Sequence, residues 1–324
     1  MAEMGRTQEQ ISDGLVEYLR AELNDPEIGY VSPLTPMAGG YETSTYRFEL
    51  SGVQGELSKP LVLRLYPPNY GTDSAVWEST VQSVLSDEGF PAARPYLLCT
   101  EPTILGGAFF VMELLPGALM VSVPFETVPA MLGEAHASLH SLDPAPLIEA
   151  LQKRGFEEHR YKLGGRLIGL NERVGPYPWL HESVDWLLEN RPPEPERLSV
   201  CHGDFHPFNL LVQDGRVTGV LDWPGFLVAD PVLDVANTVV LTSISGKHLL
   251  SLRDWERVVE MYLASYRAQK PLDLAYLDYY RVRRCVIAVW EGARGHAVWR
   301  QSPIVEDLIE YIQGVTGIRI LLPA

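Results

Sequence analysis

A short stretch, residues 199–223, constrains the fold of this chain more than any other part of the sequence. An apolar segment leads into a polar loop that holds Asp204 and Asn209, and a second apolar segment follows, which predicts strand, loop and strand. The pair Asp-Gly at 214–215 then predicts a hairpin turn into a third strand, and Asp222 follows that strand. We therefore expect three polar side chains at the ends of neighbouring strands.

These three side chains have the chemistry that phosphoryl transfer to a hydroxyl requires. The attacking hydroxyl needs a positioned carboxylate to take its proton, and Asp204 suits that task. Magnesium prefers hard oxygen ligands that leave room for phosphate oxygens, and Asn209 and Asp222 suit that task. The spacing therefore predicts Asp204 as the catalytic base and Asn209 and Asp222 as Mg²⁺ ligands.

The same loop allows a second interpretation, because His202, Asp204 and His206 form a His-x-Asp-x-His run. Such a run can hold a metal ion in a hydrolase. It leaves Asn209 and the later Asp222 without a role, whereas phosphoryl transfer uses both. Tightly bound zinc would identify the hydrolase.

The motifs resemble those of a known family. Protein kinases carry the motifs H-R-D-x-x-x-x-N and D-F-G. In these motifs an Asp is followed by an Asn five positions later and by a second Asp after a hairpin, which is the order found here. Here H-G-D-x-H-x-x-N occupies 202–209, D-W occupies 222–223, and D-P-x-x-D-V-A occupies 230–236. This version resembles the aminoglycoside phosphotransferase family, the small-molecule branch of the protein-kinase-like fold. The resemblance spans nearly the whole chain, is strongest from 198 to 238, and implies that His206 contacts the nucleotide.

A strand cation and a helix acid are expected in kinase-like proteins, where a Lys–Glu pair holds the α- and β-phosphates of the nucleotide. Residues 60–66 form a predicted strand that contains Arg64, and a predicted helix from about 72 to 87 contains Glu78. Arg64 then stands where kinases carry Lys. A guanidinium can bridge a carboxylate and a phosphate, although it directs its bonds differently from an ammonium. A surface ion pair at the strand edge is the alternative.

Two further segments are implicated in nucleotide binding. Glycines at 39–40 lie in a turn between predicted strands, where the backbone can approach phosphates and its N–H groups can cradle them. Residues 108–115 predict a buried strand that ends at Pro-Gly, which is a natural hinge between lobes. The resemblance implies that the nucleotide base bonds the backbone of this hinge. The implied nucleotide contacts are Gly39, Gly40, Met112, Glu113 and Leu114.

Helical periodicity accounts for most of the remaining chain. A capping box at 7–10 opens an amphipathic helix to about residue 23, and apolar residues from 128 to 142 fall at helical spacing. Residues 147–197 are charged and interrupted by prolines, so we expect only a short helix there, around 183–189. The last third of the chain predicts three more helices.

Four polar residues outside the catalytic loop are interpreted as structural. His136 and His140 lie four positions apart on a predicted helix and could bind a metal, but the chain lacks Glu placed as in H-E-x-x-H. Asp230 is predicted to cap the helix that begins after it. Asp234 is predicted to hold the backbone of the catalytic loop.

Composition argues against several classes of protein. With 324 residues and 46% hydrophobic content, the chain can bury a sizeable core. A net charge of −16 argues against a nucleic-acid partner, because binding to a phosphate backbone needs clustered Lys and Arg. No apolar run has the length of a membrane span and the start lacks the features of a signal peptide, so we expect no membrane contact and a cytoplasmic location. The three separated cysteines favour buried thiols over a disulfide or zinc framework.

Together these observations predict an α+β, two-lobed, protein-kinase-like fold. Residues 1–115 would form a nucleotide-binding lobe with an antiparallel sheet and a helix, and residues 116–324 a mainly helical catalytic and substrate-binding lobe. The expected function is transfer of the γ-phosphate of ATP or GTP, with Mg²⁺, to a hydroxyl of a small molecule. The sequence does not indicate an oligomeric state.

A function of a different class remains open. A pseudokinase that binds nucleotide without turnover is the alternative, and Arg64 is the one feature in its favour. The acceptor is not named by any motif. The balanced charge and many aromatic residues of 251–324 favour an acceptor of low charge with substantial apolar area.

Overall fold

The computed structural model describes residues 6–37, 43–250 and 254–323. Contacts divide the chain into two compact units. Unit 1 comprises residues 1–117, 149–154 and 218–224, and unit 2 comprises residues 118–148, 155–217 and 225–324. A segment late in the chain, residues 218–224, therefore packs with the N-terminal part of the sequence.

Unit 1 is built on an antiparallel sheet. In chain order its elements are α1 (Gln8–Glu22), β1 (Gly29–Pro36), β2 (Ser44–Ser51), β3 (Leu61–Leu65), α2 (Gly71–Asp87), β4 (Pro95–Cys99), α3 (Pro102–Leu105) and β5 (Phe109–Glu113). The strands pair in the order β1-β2-β3-β5-β4. Helix α1 begins with the predicted capping box, in which Thr7 and Gln10 each accept the other's backbone N–H.

Strand β3 shows how the sheet buries both of its faces. Leu61 and Leu63 pack into a core that includes Leu15 of α1. Val62 packs into a second core that includes Ala75 of α2. Because successive side chains of a strand point to opposite faces, Arg64 shares the α2 face with Val62. The alternation of β3 therefore directs the predicted strand cation toward the helix that carries the predicted acid.

Residues 218–224 are tied into unit 1 around a buried tryptophan. The Val220 N–H donates to the Pro91 carbonyl at 2.7 Å, and the Trp223 indole N–H donates to the Val220 carbonyl at 2.9 Å. The fully buried Trp223 ring packs edge-on against Phe90, with ring centroids 6.0 Å apart. The neighbouring Asp222 is thereby carried into unit 1.

Unit 2 is mainly helical, with short strands around the catalytic loop. Its elements begin with β6 (Ala118–Leu119), α4 (Val128–Leu139), α5 (Ala145–Lys153), α6 (Leu163–Arg173), α7 (His181–Glu189), β7 (Ser199–Cys201), β8 (Leu210–Gln213), β9 (Arg216–Val220) and β10 (Leu227–Ala229). The last part of α5 and of β9 belongs to unit 1. Strand β7 pairs antiparallel with β10, and β6 pairs antiparallel with β8. The predicted turn at 214–215 joins β8 to β9.

Helices complete unit 2. They are α8 (Pro231–Val240), a π-helical turn (Leu241–Gly246), α9 (Lys247–Leu249), α10 (Trp255–Gln269), α11 (Leu277–Ala293) and α12 (Ile304–Thr316). Asp230 caps α8 as predicted, since its Oδ1 accepts the Val232 N–H at 2.9 Å. A large apolar core includes Leu233 of α8, Val286 of α11 and Leu308 of α12.

The region 147–197 contains more helix than its sequence predicts. Helices α5 and α6 precede the expected α7. Helix α6 buries Leu167 and Leu170 on its apolar face. The sequence did not predict this helix because glycine, present at 164, 165 and 169, has a low helix propensity. Packing of that face into the core of unit 2 outweighs the local preference.

The cysteines and the apolar character of the helices can be compared with the sequence predictions. Cys99, Cys201 and Cys285 are buried free thiols, as predicted. Within the described ranges, no helix combines the length and the apolar character needed to cross a membrane.

Candidate active site

Arg64 forms an ion-paired cluster with two acids inside unit 1. Its Nε lies 3.0 Å from Oε2 of Glu78, and its Nη2 donates to Oδ1 of Asp222 at 2.7 Å. The Arg64 side chain is 12% exposed and that of Glu78 is fully buried. This burial does not fit the alternative of a surface ion pair. Strand β3 and helix α2 thus bring together the two residues that the sequence paired.

Glu78 is held by several donors besides Arg64. The Tyr66 hydroxyl donates to its Oε2, the Gln82 side chain donates to its Oε1 at 3.1 Å, and the Trp223 N–H reaches the same Oε1 at 3.4 Å. Burial raises the pKa of Glu78, and the charge of Arg64 opposes that rise. Burial acts to lower the pKa of Arg64, but the charge of Glu78 and the smaller contributions of Tyr66 and Asp222 together raise it above its usual range. Arg64 therefore remains a cation.

Asp222 occupies an unusual backbone conformation at the edge of this cluster. Its φ is 69°, in the left-handed region that few residues other than glycine adopt. The side chain is 47% exposed, and in the described part of the chain its Oδ2 has no hydrogen bond. One carboxylate oxygen is therefore fixed by Arg64 while the other can take a further partner.

The loop between β7 and β8 gathers Asp204, His206 and Asn209 within unit 2. His206 Nε2 lies 3.1 Å from Oδ2 of Asp204, and the Asn209 side-chain amide donates to the Asp204 carbonyl at 3.0 Å. Among the described residues, Oδ1 of Asn209 accepts no hydrogen bond. The Asp204 side chain is 38% exposed. The loop therefore presents a carboxylate and an amide oxygen that can both take a ligand.

The surroundings of Asp204 keep it ionised. Burial alone would raise its pKa, but the hydrogen bond from His206 and the charges of His206, Arg284 and His202 lower the pKa to about 2. Its backbone N–H also donates to Nδ1 of His202 at 3.2 Å. At neutral pH the carboxylate is therefore available to accept a proton.

Asp234 anchors the backbone of this loop from α8. Its Oδ2 accepts the His202 N–H at 2.6 Å and its Oδ1 accepts the Gly203 N–H at 2.8 Å. Asn237 and Thr238, one turn further along the same helix face, donate to the carbonyls of Gly203 and Phe205 at 2.9 and 2.8 Å. The predicted role of Asp234 in holding the loop matches these contacts, and Asn237 and Thr238 add to it.

Two histidines complete the environment of Asp234. His136 Nε2 lies 3.0 Å and His140 Nε2 lies 3.4 Å from its Oδ2. On the other side of each ring, Nδ1 lies 2.7 Å from a tyrosine hydroxyl, Tyr262 for His136 and Tyr266 for His140. Neutral rings that donate from Nε2 and accept at Nδ1 satisfy every group in this network.

The same residues form a candidate metal site, and the network argues against it. In the described part of the chain, His136, His140 and Asp234 are the one group of three or more side chains that could hold a metal ion. All three are fully buried, and each imidazole already uses both nitrogens. Burial also lowers the pKa of His136 to about 4, so the ring is neutral without a metal. The structural interpretation of the histidines therefore accounts for the contacts.

Gly203 is required by the close approach of two backbone segments. Its φ is 88°, and a Cβ placed there would lie 2.4 Å from the Gly225 carbonyl oxygen. Such a distance is shorter than any real Cβ contact, so a side chain would displace backbone. The glycine between His202 and Asp204 thus lets the loop lie against the segment before β10.

The structure locates the remaining predicted nucleotide contacts only in part. Gly39 and Gly40 lie outside the described residues. In the hinge strand, Met112 pairs with Val62 across the sheet. The backbone N–H groups of Glu113 and Leu114 donate to the carbonyls of Arg94 and Pro60, at 3.1 and 3.2 Å. These two N–H groups therefore already have partners within unit 1.

Sequence reasoning missed the tyrosines of this site. Helical spacing in the last third of the chain explains Tyr262 and Tyr266 as part of a buried helix face, and their rings are buried. Their hydroxyls, however, bond histidines that lie 126 residues away in the chain. Equal spacing was the available signal, because both the two tyrosines and the two histidines are separated by one helical turn.

Comparison with known families places this geometry in context. The profile of the phosphotransferase enzyme family matches residues 33–284, which include Arg64, the catalytic loop, Asp222 and Asp234. This chain belongs to the phosphotransferase enzyme family. The family resemblance predicted from the motifs is thereby confirmed.

Relatives of this phosphotransferase family member include parts of longer proteins. The chain is 28% identical over 222 residues to acyl-CoA dehydrogenase family member 11 of Gallus gallus. That match covers 61% of this chain and 26% of the chicken protein, so the chain spans about a quarter of that relative's length.

Solved structures show the same fold. A macrolide 2'-phosphotransferase from Brachybacterium faecium matches with a TM-score of 0.55 and 20% identity, over 93% of this chain and 98% of that one. A thermostable mutant of an aminoglycoside phosphotransferase, in a ternary complex with ADP and hygromycin B, matches with a TM-score of 0.53 and 16% identity, over 94% and 96% of the two chains. The predicted two-lobed, α+β, protein-kinase-like fold is confirmed for this phosphotransferase.

Proposed function

We propose that this phosphotransferase transfers the γ-phosphoryl group of ATP or GTP to a hydroxyl group of a small molecule. In this proposal Asp204 is the general base and Arg64 contacts the nucleotide phosphates. Asn209 and Asp222 hold Mg²⁺. Each role matches a position in the motifs of the family.

The observation that carries the proposal is the ion pair between Arg64 and Glu78. Arg64 was the one feature that favoured a pseudokinase. Its Nε lies 3.0 Å from the buried Glu78 carboxylate, so the cation is held by a helix acid in the way that the Lys–Glu pair of kinases requires. A guanidinium offers further donors in the same plane, which can bind a phosphate while the pair is kept.

The state of Asp204 supports its role as the base. Its pKa of about 2 leaves the carboxylate ionised at neutral pH, ready to accept the proton of an acceptor hydroxyl. In the transfer, the acceptor oxygen forms a bond to the γ-phosphorus, the bond from that phosphorus to the bridging oxygen breaks, and the nucleoside diphosphate leaves. Because the transition state of such reactions is loose, the acceptor hydroxyl loses its proton late, and a weakly basic carboxylate is sufficient to accept it.

The oxygens of Asn209 and Asp222 fit a divalent cation. The Asn209 amide nitrogen is directed to the Asp204 carbonyl, which leaves Oδ1 to act as a ligand. Asp222 has one carboxylate oxygen with no hydrogen bond among the described residues, and its side chain is 47% exposed. Hard oxygen ligands of this kind suit Mg²⁺, which would neutralise charge on the phosphates of the bound nucleotide.

His206, the glycine turn and the hinge remain proposed nucleotide contacts. His206 lies beside Asp204, with its Nε2 3.1 Å from that carboxylate. It can therefore orient the proposed general base Asp204 as well as contact the nucleotide. For Gly39, Gly40, Met112, Glu113 and Leu114 the proposal rests on the family motif. Backbone contacts of this type do not distinguish ATP from GTP.

The metal-hydrolase alternative has less support. Among the described residues, His202, Asp204 and His206 do not form a group of potential metal ligands. His202 is fully buried, and its Nδ1 accepts the Asp204 N–H at 3.2 Å. The catalytic loop thus uses His202 as a structural residue.

Two kinds of acceptor follow from the names of relatives. The similar structures include a macrolide 2'-phosphotransferase and a phosphotransferase complex that contains hygromycin B. The longer relative is named as a member of the acyl-CoA dehydrogenase family, which favours hydroxylated acyl compounds as acceptors for the shared part. An acceptor panel should therefore contain antibiotics, small hydroxy acids and hydroxyacyl thioesters.

Nucleotide turnover on that panel tests the proposal. Release of ADP or GDP should depend on both Mg²⁺ and an acceptor hydroxyl, and mass spectrometry should detect an acceptor heavier by one phosphoryl group. Asp204→Asn should abolish both signals. Tight Mg²⁺-nucleotide binding with no transfer to any acceptor would favour the pseudokinase instead.

A further inference from the structure

The Tyr262 hydroxyl on α10 begins a chain of buried contacts that leads to the catalytic loop. It lies 2.7 Å from Nδ1 of His136 on α4, and Nε2 of that ring lies 3.0 Å from Oδ2 of Asp234 on α8. The Asp234 carboxylate accepts the backbone N–H groups of His202 and Gly203, at 2.6 and 2.8 Å. Two side chains therefore connect Tyr262 to the backbone just before the proposed base.

The ring of His136 also contacts the catalytic loop directly. It stacks on the Phe205 ring, with the centroids 4.1 Å apart and an angle of 17° between the planes. Both side chains are fully buried. Phe205 follows Asp204 in the sequence, and its carbonyl accepts the Thr238 hydroxyl at 2.8 Å. One imidazole thus acts on the loop before the proposed base, through Asp234, and after it, through Phe205.

The Tyr262 hydroxyl determines which nitrogen of His136 carries the proton. A neutral imidazole has one N–H donor and one acceptor. Because the phenol donates to Nδ1, Nε2 is the donor, and it bonds the Asp234 carboxylate, which can only accept. Without the hydroxyl, Nδ1 would be a buried acceptor that has lost its partner, which is unfavourable. The ring can then turn, and a turn weakens both the bond to Asp234 and the stacking on Phe205.

A second tyrosine–histidine pair lies one helical turn away and allows an internal comparison. The Tyr266 hydroxyl lies 2.7 Å from Nδ1 of His140, whose Nε2 lies 3.4 Å from the same oxygen of Asp234. A hydrogen bond of that length is weak. Among the described residues, the rings close to His140 are those of His136 and Tyr266, and Phe205 is not one of them. The second pair therefore has less hold on the catalytic loop.

We propose that Tyr262 is a positioning residue for the general base. Its hydroxyl keeps the proton of His136 on Nε2, and the histidine then keeps the backbone on both sides of Asp204 in one conformation. Tyr262 is 2% exposed, so it acts through His136 and not by contact with a substrate. This inference rests on the proposed function, in which Asp204 is the base.

Replacing tyrosine by phenylalanine tests the inference, because it removes the hydroxyl and keeps the ring. Tyr262→Phe changes the proposed residue, and Tyr266→Phe changes the second pair. Tyr279→Phe is the matched control, since Tyr279 is 6% exposed in unit 2 and its hydroxyl donates to the Leu187 carbonyl at 2.8 Å, outside the network. Steady-state turnover would be measured with an acceptor that the wild type phosphorylates, at a temperature at which all variants are folded. Nucleotide titration and thermal unfolding would accompany it.

The expected results distinguish positioning from a contribution to stability alone. Tyr262→Phe should lower kcat about tenfold or more and leave the acceptor KM and the nucleotide affinity within about twofold, because only the transition-state geometry is disturbed. Tyr266→Phe should lower kcat by less, and Tyr279→Phe should lower only the unfolding temperature. The inference is overturned if kcat of Tyr262→Phe equals that of the wild type, or falls no further than that of Tyr266→Phe or Tyr279→Phe.

Nitrogen NMR of the histidine side chains requires neither turnover nor a variant. In the wild type, His136 should be neutral with its proton on Nε2. In Tyr262→Phe the His136 signals should shift, and the His202 and Gly203 amides should exchange with solvent about tenfold faster or more. Tyr279→Phe should leave the His136 signals unchanged. A proton on Nδ1 of His136 in the wild type would contradict the inference whatever the variants do.

Failure of this inference can be told apart from failure of the proposed function. If no acceptor is phosphorylated but the His136 signals and the loop amides respond to Tyr262→Phe, the function is wrong and the hold of Tyr262 on the loop stands. If the wild type transfers phosphate and Tyr262→Phe keeps its kcat, the function stands and the inference is wrong. If Asp204→Asn abolishes transfer and Tyr262→Phe lowers kcat alone, both hold.

Discussion

Nη2 of Arg64 donates a hydrogen bond to Oδ1 of Asp222 at 2.7 Å. The proposed phosphate-binding cation and one proposed metal ligand are thus oriented by each other, and Glu78 fixes the cation from its other side. A Mg²⁺-nucleotide would offer each of them a stronger partner of opposite charge. The proposed nucleotide contacts Arg64 and Asp222 are therefore oriented by contacts within unit 1.

Asp204→Asn should abolish transfer and leave nucleotide affinity within a few fold, because a general base acts on the acceptor. The loss of turnover should reach roughly 10²–10⁴-fold. Steady-state turnover and nucleotide titration measure the two quantities. Asp214→Asn is a matched control, since Asp214 is exposed in a turn and Asn tolerates its φ of 51°. Near-normal turnover in Asp204→Asn would show that another group is the base.

Asp222→Asn should weaken nucleotide binding in the presence of Mg²⁺ and have little effect when EDTA is present. Asn keeps the left-handed backbone accessible, so the change tests the charge and not the φ of 69°. Asn209→Ala should act in the same direction with a smaller loss, because it removes a neutral ligand. Nucleotide affinity of the wild type that does not respond to Mg²⁺ would contradict both roles.

Arg64→Met should cost both stability and nucleotide affinity, because it leaves the fully buried Glu78 without its counter-charge. Removing one partner of a buried pair costs about 3–5 kcal/mol, whereas exposed pairs contribute about 0–1 kcal/mol. Arg47→Met on the neighbouring strand is the control, since Arg47 pairs with Glu49 and is 52% exposed. Denaturant unfolding should separate the two variants.

Arg64→Lys tests whether the planar geometry of the guanidinium group is needed. Lysine keeps the charge but cannot bond Glu78, Asp222 and a phosphate in one plane, so part of the nucleotide affinity should be lost while most stability is kept. Calorimetric titration with a nucleotide analogue measures the loss. If Arg64→Lys and Arg64→Met both bind nucleotide like the wild type, Arg64 has no contact with the phosphates.

The protein should lose stability as pH falls from about 6.5 to about 4. Burial lowers the pKa of His136 to about 4 and that of His140 in the same direction. Below a pH of about 6.5, His136 is protonated in the unfolded chain but stays neutral in the folded protein until the pH approaches 4. Acid therefore favours unfolding. For His136 alone the loss is on the order of 3 kcal/mol.

Denaturant unfolding at several pH values measures this dependence. His136→Gln should flatten the slope, because glutamine can donate to Asp234 but does not titrate in this range. His159→Gln should keep the slope, since the His159 side chain is 63% exposed. An equal slope in the wild type and His136→Gln would mean that other groups cause the acid sensitivity.

The sequence predicted the elements that carry local signals. The capping box at Thr7, the alternation around Arg64 and the spacing from Asp204 to Asn209 each depend on residues a few positions apart. Contacts between distant segments leave no such periodic trace. The bond between the Tyr262 hydroxyl and His136 became visible only in the folded chain.

Prediction was weakest where packing overrides local preference. The glycines of α6 hid a helix that the core of unit 2 stabilises. Residues 218–224 lie next to the catalytic loop in the sequence, yet Trp223 packs against Phe90 in unit 1. Such choices depend on which apolar surface is available in three dimensions, and no window of sequence contains that information.

The four donors that converge on Asp234 also bear on how this part of the protein opens. The amide hydrogens of His202 and Gly203 end on one carboxylate that the two histidines share. Releasing either amide exposes a charge in an apolar interior, so fraying one bond at a time is unfavourable. The catalytic loop and α8 should therefore exchange their amide hydrogens with solvent together, as one cooperative unit of the fold.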